Sequence, residues 1–98
     1  MQRAENGQFY REFLRVSSMS AGPYVLPPGS IDPQAPHHED EMYYMIRGRA
    51  HFRADDQDRQ DREVSSGSVL FVAAEVEHGF YDITEELAIL VFFAPAER

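Results

Sequence analysis

The chain has 98 residues, with nine basic against seventeen acidic side chains and a formal charge of −8. Every basic residue is arginine and there is no cysteine, which excludes lysine Schiff-base chemistry, a P-loop lysine, thiolate metal sites, thiol nucleophiles and disulfides. The acidic balance argues against nucleic acid or an anionic membrane as a partner, because either needs clustered cations.

A chain this short is expected to make one domain, spanning 1–98, around a single small core. The first ten residues, MQRAENGQFY, lack the apolar stretch of a signal peptide. No segment is long and apolar enough to be a membrane helix, so the expected location is the cytoplasm.

Helical periodicity is scarce. Residues 11–16 (REFLRV) fit either one short helical turn or the start of a strand. Residues 24–26 lie between Gly22-Pro23 and Pro27-Pro28-Gly29, and five of the six prolines fall within 23–36, which no helix interior tolerates. Residues 42–46 (MYYMI) read as a strand stopped by Gly48. Arg49–Ala54 follows with period-two alternation that turns Ala50, Phe52 and Ala54 inward and His51 outward.

The polar run at 55–63 reads as a solvated hairpin end. Its interleaved arginines, and the absence of the loop glycine, argue against calcium. Val69–Val72 reads as a buried strand after Gly67, and residues 78–82 as a further strand. Residues 87–93 (LAILVFF) form a continuous apolar run, expected to be buried on both faces, between two sheets or between a sheet and a partner chain. Seven or eight short strands at such spacing indicate an all-β sandwich or barrel. Because one barrel has one interior, part of the 87–93 run is expected to meet a second copy, making a homodimer.

The chemistry is concentrated at Pro36-His37-His38-Glu39-Asp40-Glu41, immediately before a buried strand. On extended backbone, side chains two apart share a face, so His37, Glu39 and Glu41 point the same way as Tyr43 and Met45, and His38 points away. His78 is the partner from a second strand, on the face of Phe80. Two imidazoles and a carboxylate form a set suited to Fe(II) and compatible with Mn, Ni or Zn. Tyr43, Met45 and Phe80 are expected to line the cavity.

These spacings resemble the two motifs of the cupins, small jelly-roll barrels built as a double-stranded β-helix. The first family motif runs glycine, five residues, His-x-His, three or four residues, Glu, six residues, Gly. Here Gly29 leads to Ala35, Pro36 and His37, then Glu41, then Gly48. The second runs glycine, five residues, Pro-x-Gly, two residues, His, three residues, Asn, and Gly67 leads by that spacing to Ala73, Glu75, His78 and Asp82. The resemblance implies a divalent metal held by His37, Glu41 and His78 and acting on, or binding, a small oxygen-bearing molecule. Dioxygenases, isomerases and decarboxylases occur in this family, as do non-catalytic binding modules, and the resemblance leaves both open. Ala35 stands where the family has its first metal histidine; His38 or Glu39 could replace it, although the motif assigns neither. Glu75 stands at the family's turn glycine, and the turn there is expected to differ.

Overall fold

The computed structural model describes residues 2–3, 9–30, 32, 37–55 and 60–96. The strands among them are β1 (Gln2–Arg3), β2 (Phe9–Tyr10), β3 (Leu14–Val16), β4 (Met19–Leu26), β5 (Asp40–Arg47), β6 (Arg49–Ala54), β7 (Gln60–Ser65), β8 (Val69–Val72), β9 (His78–Tyr81) and β10 (Leu87–Ala94). No helix occurs among the described residues, so 11–16 takes the strand alternative, as β3 paired with β4. None of them is therefore long and apolar enough to cross a membrane as a helix.

Two sheets face one another. The larger runs β1-β2-β4-β10-β5-β8 with β3 beside β4, and the smaller runs β7-β6-β9; the pairings are antiparallel. Alternation decides what lies between them. Glu41, Tyr43 and Met45 of β5 are buried, whereas Met42, Tyr44 and Ile46 are exposed. Ala50, Phe52 and Ala54 of β6 point into the same core, with His51 outward and half-buried. Tyr43, Phe52 and Phe80 interlock edge to face or tilted, with ring centroids 5.0 to 6.0 Å apart. Burying each such ring stabilises the fold by roughly 1.5–3 kcal/mol.

Three places differ from the sequence reading. The polar run at 55–63 is not all hairpin end: β7 begins within it, at Gln60, and pairs along all of β6, while 56–59 lie outside the described residues. The 87–93 run lies in the middle of the larger sheet, with β4 and β5 pairing its two edges. Its inward residues Leu87, Ile89, Val91 and Phe93 are buried, and Leu90 and Phe92 on its other face are half-buried. Leu90 and Phe92 stand opposite Tyr44 and Met42, and the same outer face continues into more exposed apolar side chains, Met42, Tyr44 and Ile46 of β5 and Val69 and Phe71 of β8; Phe13, Leu14 and Val16 are exposed as well. Finally, the turn before β9 does not abandon the left-handed conformation that a glycine would serve: Glu75 adopts it, with φ 69°.

Gly48 is required by its surroundings. It turns β5 into β6 with φ 102°, and a Cβ there would lie 2.4 Å from the Glu86 carbonyl oxygen. That tight reversal passes the chain from the larger sheet to the smaller, so that β5 and β9 carry their inward side chains toward each other.

Candidate metal centre

His37 lies just before β5, Glu41 is the second residue of β5, and His78 opens β9. The two segments are fastened together at their backbones. The Glu75 amide donates to the His37 carbonyl at 2.7 Å, and the Ala74 amide donates to Asp40 Oδ1 at 2.8 Å. The turn that delivers His78 therefore also fixes the approach of His37.

The structure brings His37, Glu41 and His78 together, with one ligand atom from each lying within 4.8 Å of the others. Glu41 Oε1 is 3.5 Å from His37 Nε2 and 3.4 Å from His78 Nε2. Two donors bound to one ion at about 2.1 Å stand about 3.0–3.4 Å apart, so these spacings already approach those of a coordination shell. Glu41 and His78 are buried, and His37 is partly exposed beside the Phe93 ring.

The hydrogen bonds set the chemistry. His78 Nδ1 lies 2.8 Å from the Val76 carbonyl, which can only accept, so Nδ1 carries a proton and Nε2 faces the cluster. Burial pulls the His78 pKa down. The close approach of the Glu41 carboxylate to Nε2, the Val76 carbonyl and the Glu41 charge outweigh that effect, against opposition from His37, and leave it above its ordinary 6.5. Glu41 Oε2 accepts from the Tyr43 hydroxyl at 2.5 Å, whereas Glu41 Oε1 is buried with no hydrogen-bond partner. Leaving a buried polar atom unpaired costs about 1–3 kcal/mol, and more for a charge. That orphaned oxygen, aimed between two imidazoles, fits a cation.

His38 points away from the cluster, and its Nδ1 lies 2.8 Å from Glu75 Oε2 at the surface. Glu39 is buried, but it does not belong to the group of converging ligands. His51 stacks on Tyr81 and lines a groove of about 590 Å³ against the outer side of the smaller sheet, away from the cluster. Tyr43 does more than line the cavity. Its hydroxyl is in fact part of the cluster, 2.9 Å from His78 Nε2. Its parity with Glu41 was the available signal, and a tyrosine that shares a face with ligands warrants reading as a polar group.

Two antiparallel sheets closed around an imidazole–carboxylate cluster define a small jelly-roll barrel. The family model for the cupin domain matches residues 24–93, and the chain belongs to that family. An uncharacterized protein of Streptomyces coelicolor is 43% identical over 96 residues, covering 98% of this chain and 89% of that protein. Among solved structures, an RmlC-like cupin with a double-stranded β-helix fold from Methanocaldococcus jannaschii matches with TM-score 0.76 and 19% identity, over 97% of this chain and 86% of its own. KdgF from Halomonas sp. matches with TM-score 0.83 and 17% identity, over 96% and 85%. A variant of Bacillus subtilis oxalate decarboxylase matches with TM-score 0.82 and 25% identity, over 95% of this chain but only 26% of that one.

Proposed function

We propose that this cupin binds one divalent transition metal through His37 Nε2, Glu41 Oε1 and His78 Nε2, within a single domain spanning 1–98. The observation that carries the reading is the buried Glu41 Oε1, which makes no hydrogen bond and stands between two imidazole nitrogens. Imidazole and carboxylate donors suit Fe, Mn, Ni or Zn. Such an ion supplies Lewis acidity toward a small oxygen-bearing molecule. The chain's own part is to orient. The Val76 carbonyl fixes the His78 tautomer, the Tyr43 hydroxyl holds Glu41, and the rings of Tyr43, Phe52 and Phe80 limit water. The name of one structural relative, oxalate decarboxylase, supports a small carboxylate as the kind of molecule bound.

A second reading, a module that holds metal or ligand without turnover, is favoured by the aromatic packing against His78: Tyr43 at 6.0 Å and Phe52 at 6.4 Å between centroids leave little room beside it. Metal analysis after reconstitution with each ion tests the shared claim. About one ion per chain is expected, and a chain that takes up none contradicts it.

The proposal includes a homodimer. Its support is the apolar outer face of the larger sheet, where Met42 and Phe71, and Tyr44 and Val69, are opposed on paired strands and all exposed. Apolar faces of this extent are uncommon on monomers.

A further inference from the structure

Four polar atoms converge between β5 and β9. Besides the two imidazole nitrogens and Glu41 Oε1, the Tyr43 hydroxyl oxygen lies 2.9 Å from His78 Nε2 and 2.5 Å from Glu41 Oε2, on a side chain with no exposed surface. A separation of about 2.9–3.0 Å is what two adjacent donors of one ion show at bond lengths near 2.1 Å.

The proton count sharpens this. His78 Nδ1–H donates a hydrogen bond to the Val76 carbonyl, and the Tyr43 hydroxyl donates to Glu41 Oε2. The phenol oxygen then presents lone pairs toward Nε2, where only a proton or a cation can lie between them. A buried core tyrosine needs one acceptor, and Glu41 Oε2 already provides it. Without an ion, a proton on His78 Nε2 fills the second close approach by donating to the phenol oxygen, and a cation taking the place of that proton would meet the same two atoms. Meanwhile, neither substitute for the histidine missing at Ala35 reaches the cluster: His38 points to the surface and Glu39 stands outside the converging group.

We propose that Tyr43 is the fourth protein donor of the metal site, its phenol oxygen taking the place left by the family histidine at Ala35. The inference rests on the metal-site reading above. In forming the bond, the phenol exchanges O–H for O–metal, and the proton leaves to the buffer.

The test is optical and needs no activity. Protein reconstituted with ferric iron is examined for the visible charge-transfer absorption of an iron–phenolate bond and for resonance-enhanced tyrosinate ring vibrations. Iron bound per chain is measured on the same samples. The wild type is expected to show both signals, Tyr43→Phe to bind iron without them, and His38→Ala and Glu39→Gln to retain them. The wild-type spectrum is decisive even if the phenylalanine variant folds poorly. Iron bound without the absorption, or the absorption surviving Tyr43→Phe, overturns the assignment and leaves the three-residue site standing. A wild type that binds no iron or other ion overturns both.

Discussion

The Glu75 amide donates to the His37 carbonyl at 2.7 Å, so the turn that ends β8 and the segment that enters β5 are one unit. Its cost is visible in Glu75 itself, a non-glycine residue at φ 69°. Left-handed backbone costs an L-residue about 1–2 kcal/mol, and glycine gives back part of that relief as extra freedom in the unfolded chain. Glu75→Gly also loses the exposed pair with His38, which is worth little. The expected net effect is a gain of roughly 0.5–1 kcal/mol, read by urea unfolding. A loss above 1 kcal/mol would mean that the His38 pair matters more than its exposure implies.

Gly48 is the opposite case. A methyl there meets the Glu86 carbonyl oxygen at 2.4 Å and Leu87 Cδ2 at 2.8 Å, on backbone already at φ 102°. Gly48→Ala is expected to destabilise by about 2–4 kcal/mol, combining strain with overpacking. Unchanged unfolding would show that the β5–β6 reversal relaxes freely.

His78 gives the pH dependence. Its folded pKa is raised, so in ion-free protein its contribution to stability is fully present below 6.5 and is lost as pH rises through the folded value. A metal competes with the proton for His78 Nε2, so affinity is expected to fall about tenfold per pH unit below that folded pKa and to level off above it. Calorimetric titrations across pH 5–8 check both limbs. Affinity that is flat through this range would contradict ligation by imidazole.

Much of this was legible because period-two alternation is local. Glu41, Tyr43 and Met45 face inward and His38 faces outward from parity alone, and the strand at Arg49–Ala54 and the one at Val69–Val72 have the bounds read from the sequence. What was not legible depends on pairing between distant segments. The polar sequence of β7 gives no strand signal; it becomes a strand because β6 offers it a partner along its whole length. The apolar run of β10 cannot state that it will lie between β4 and β5 in the larger sheet, with one face inward and the other half-buried. The left-handed Glu75 is likewise fixed from outside, by the hydrogen bond to His37.

The outer face of the larger sheet yields a separate prediction. Phe71→Asp, at an exposed position opposite Met42, is expected to turn a dimer into a monomer without unfolding the chain. Light scattering should read twice the 11.3 kDa chain mass for the wild type and that mass once for the variant. A wild type that is monomeric at micromolar concentration refutes the dimer.

The central claim, that His37, Glu41 and His78 hold one ion, is tested most directly by calorimetric zinc titration of the wild type beside His37→Ala, His78→Ala and His38→Ala. The account predicts about one site per chain. It also predicts losses from His37→Ala and His78→Ala that exceed the roughly 10–100-fold typical of a residue supporting a ligand, and little loss from His38→Ala. Binding that survives His37→Ala and His78→Ala, or that disappears with His38→Ala alone, would contradict it.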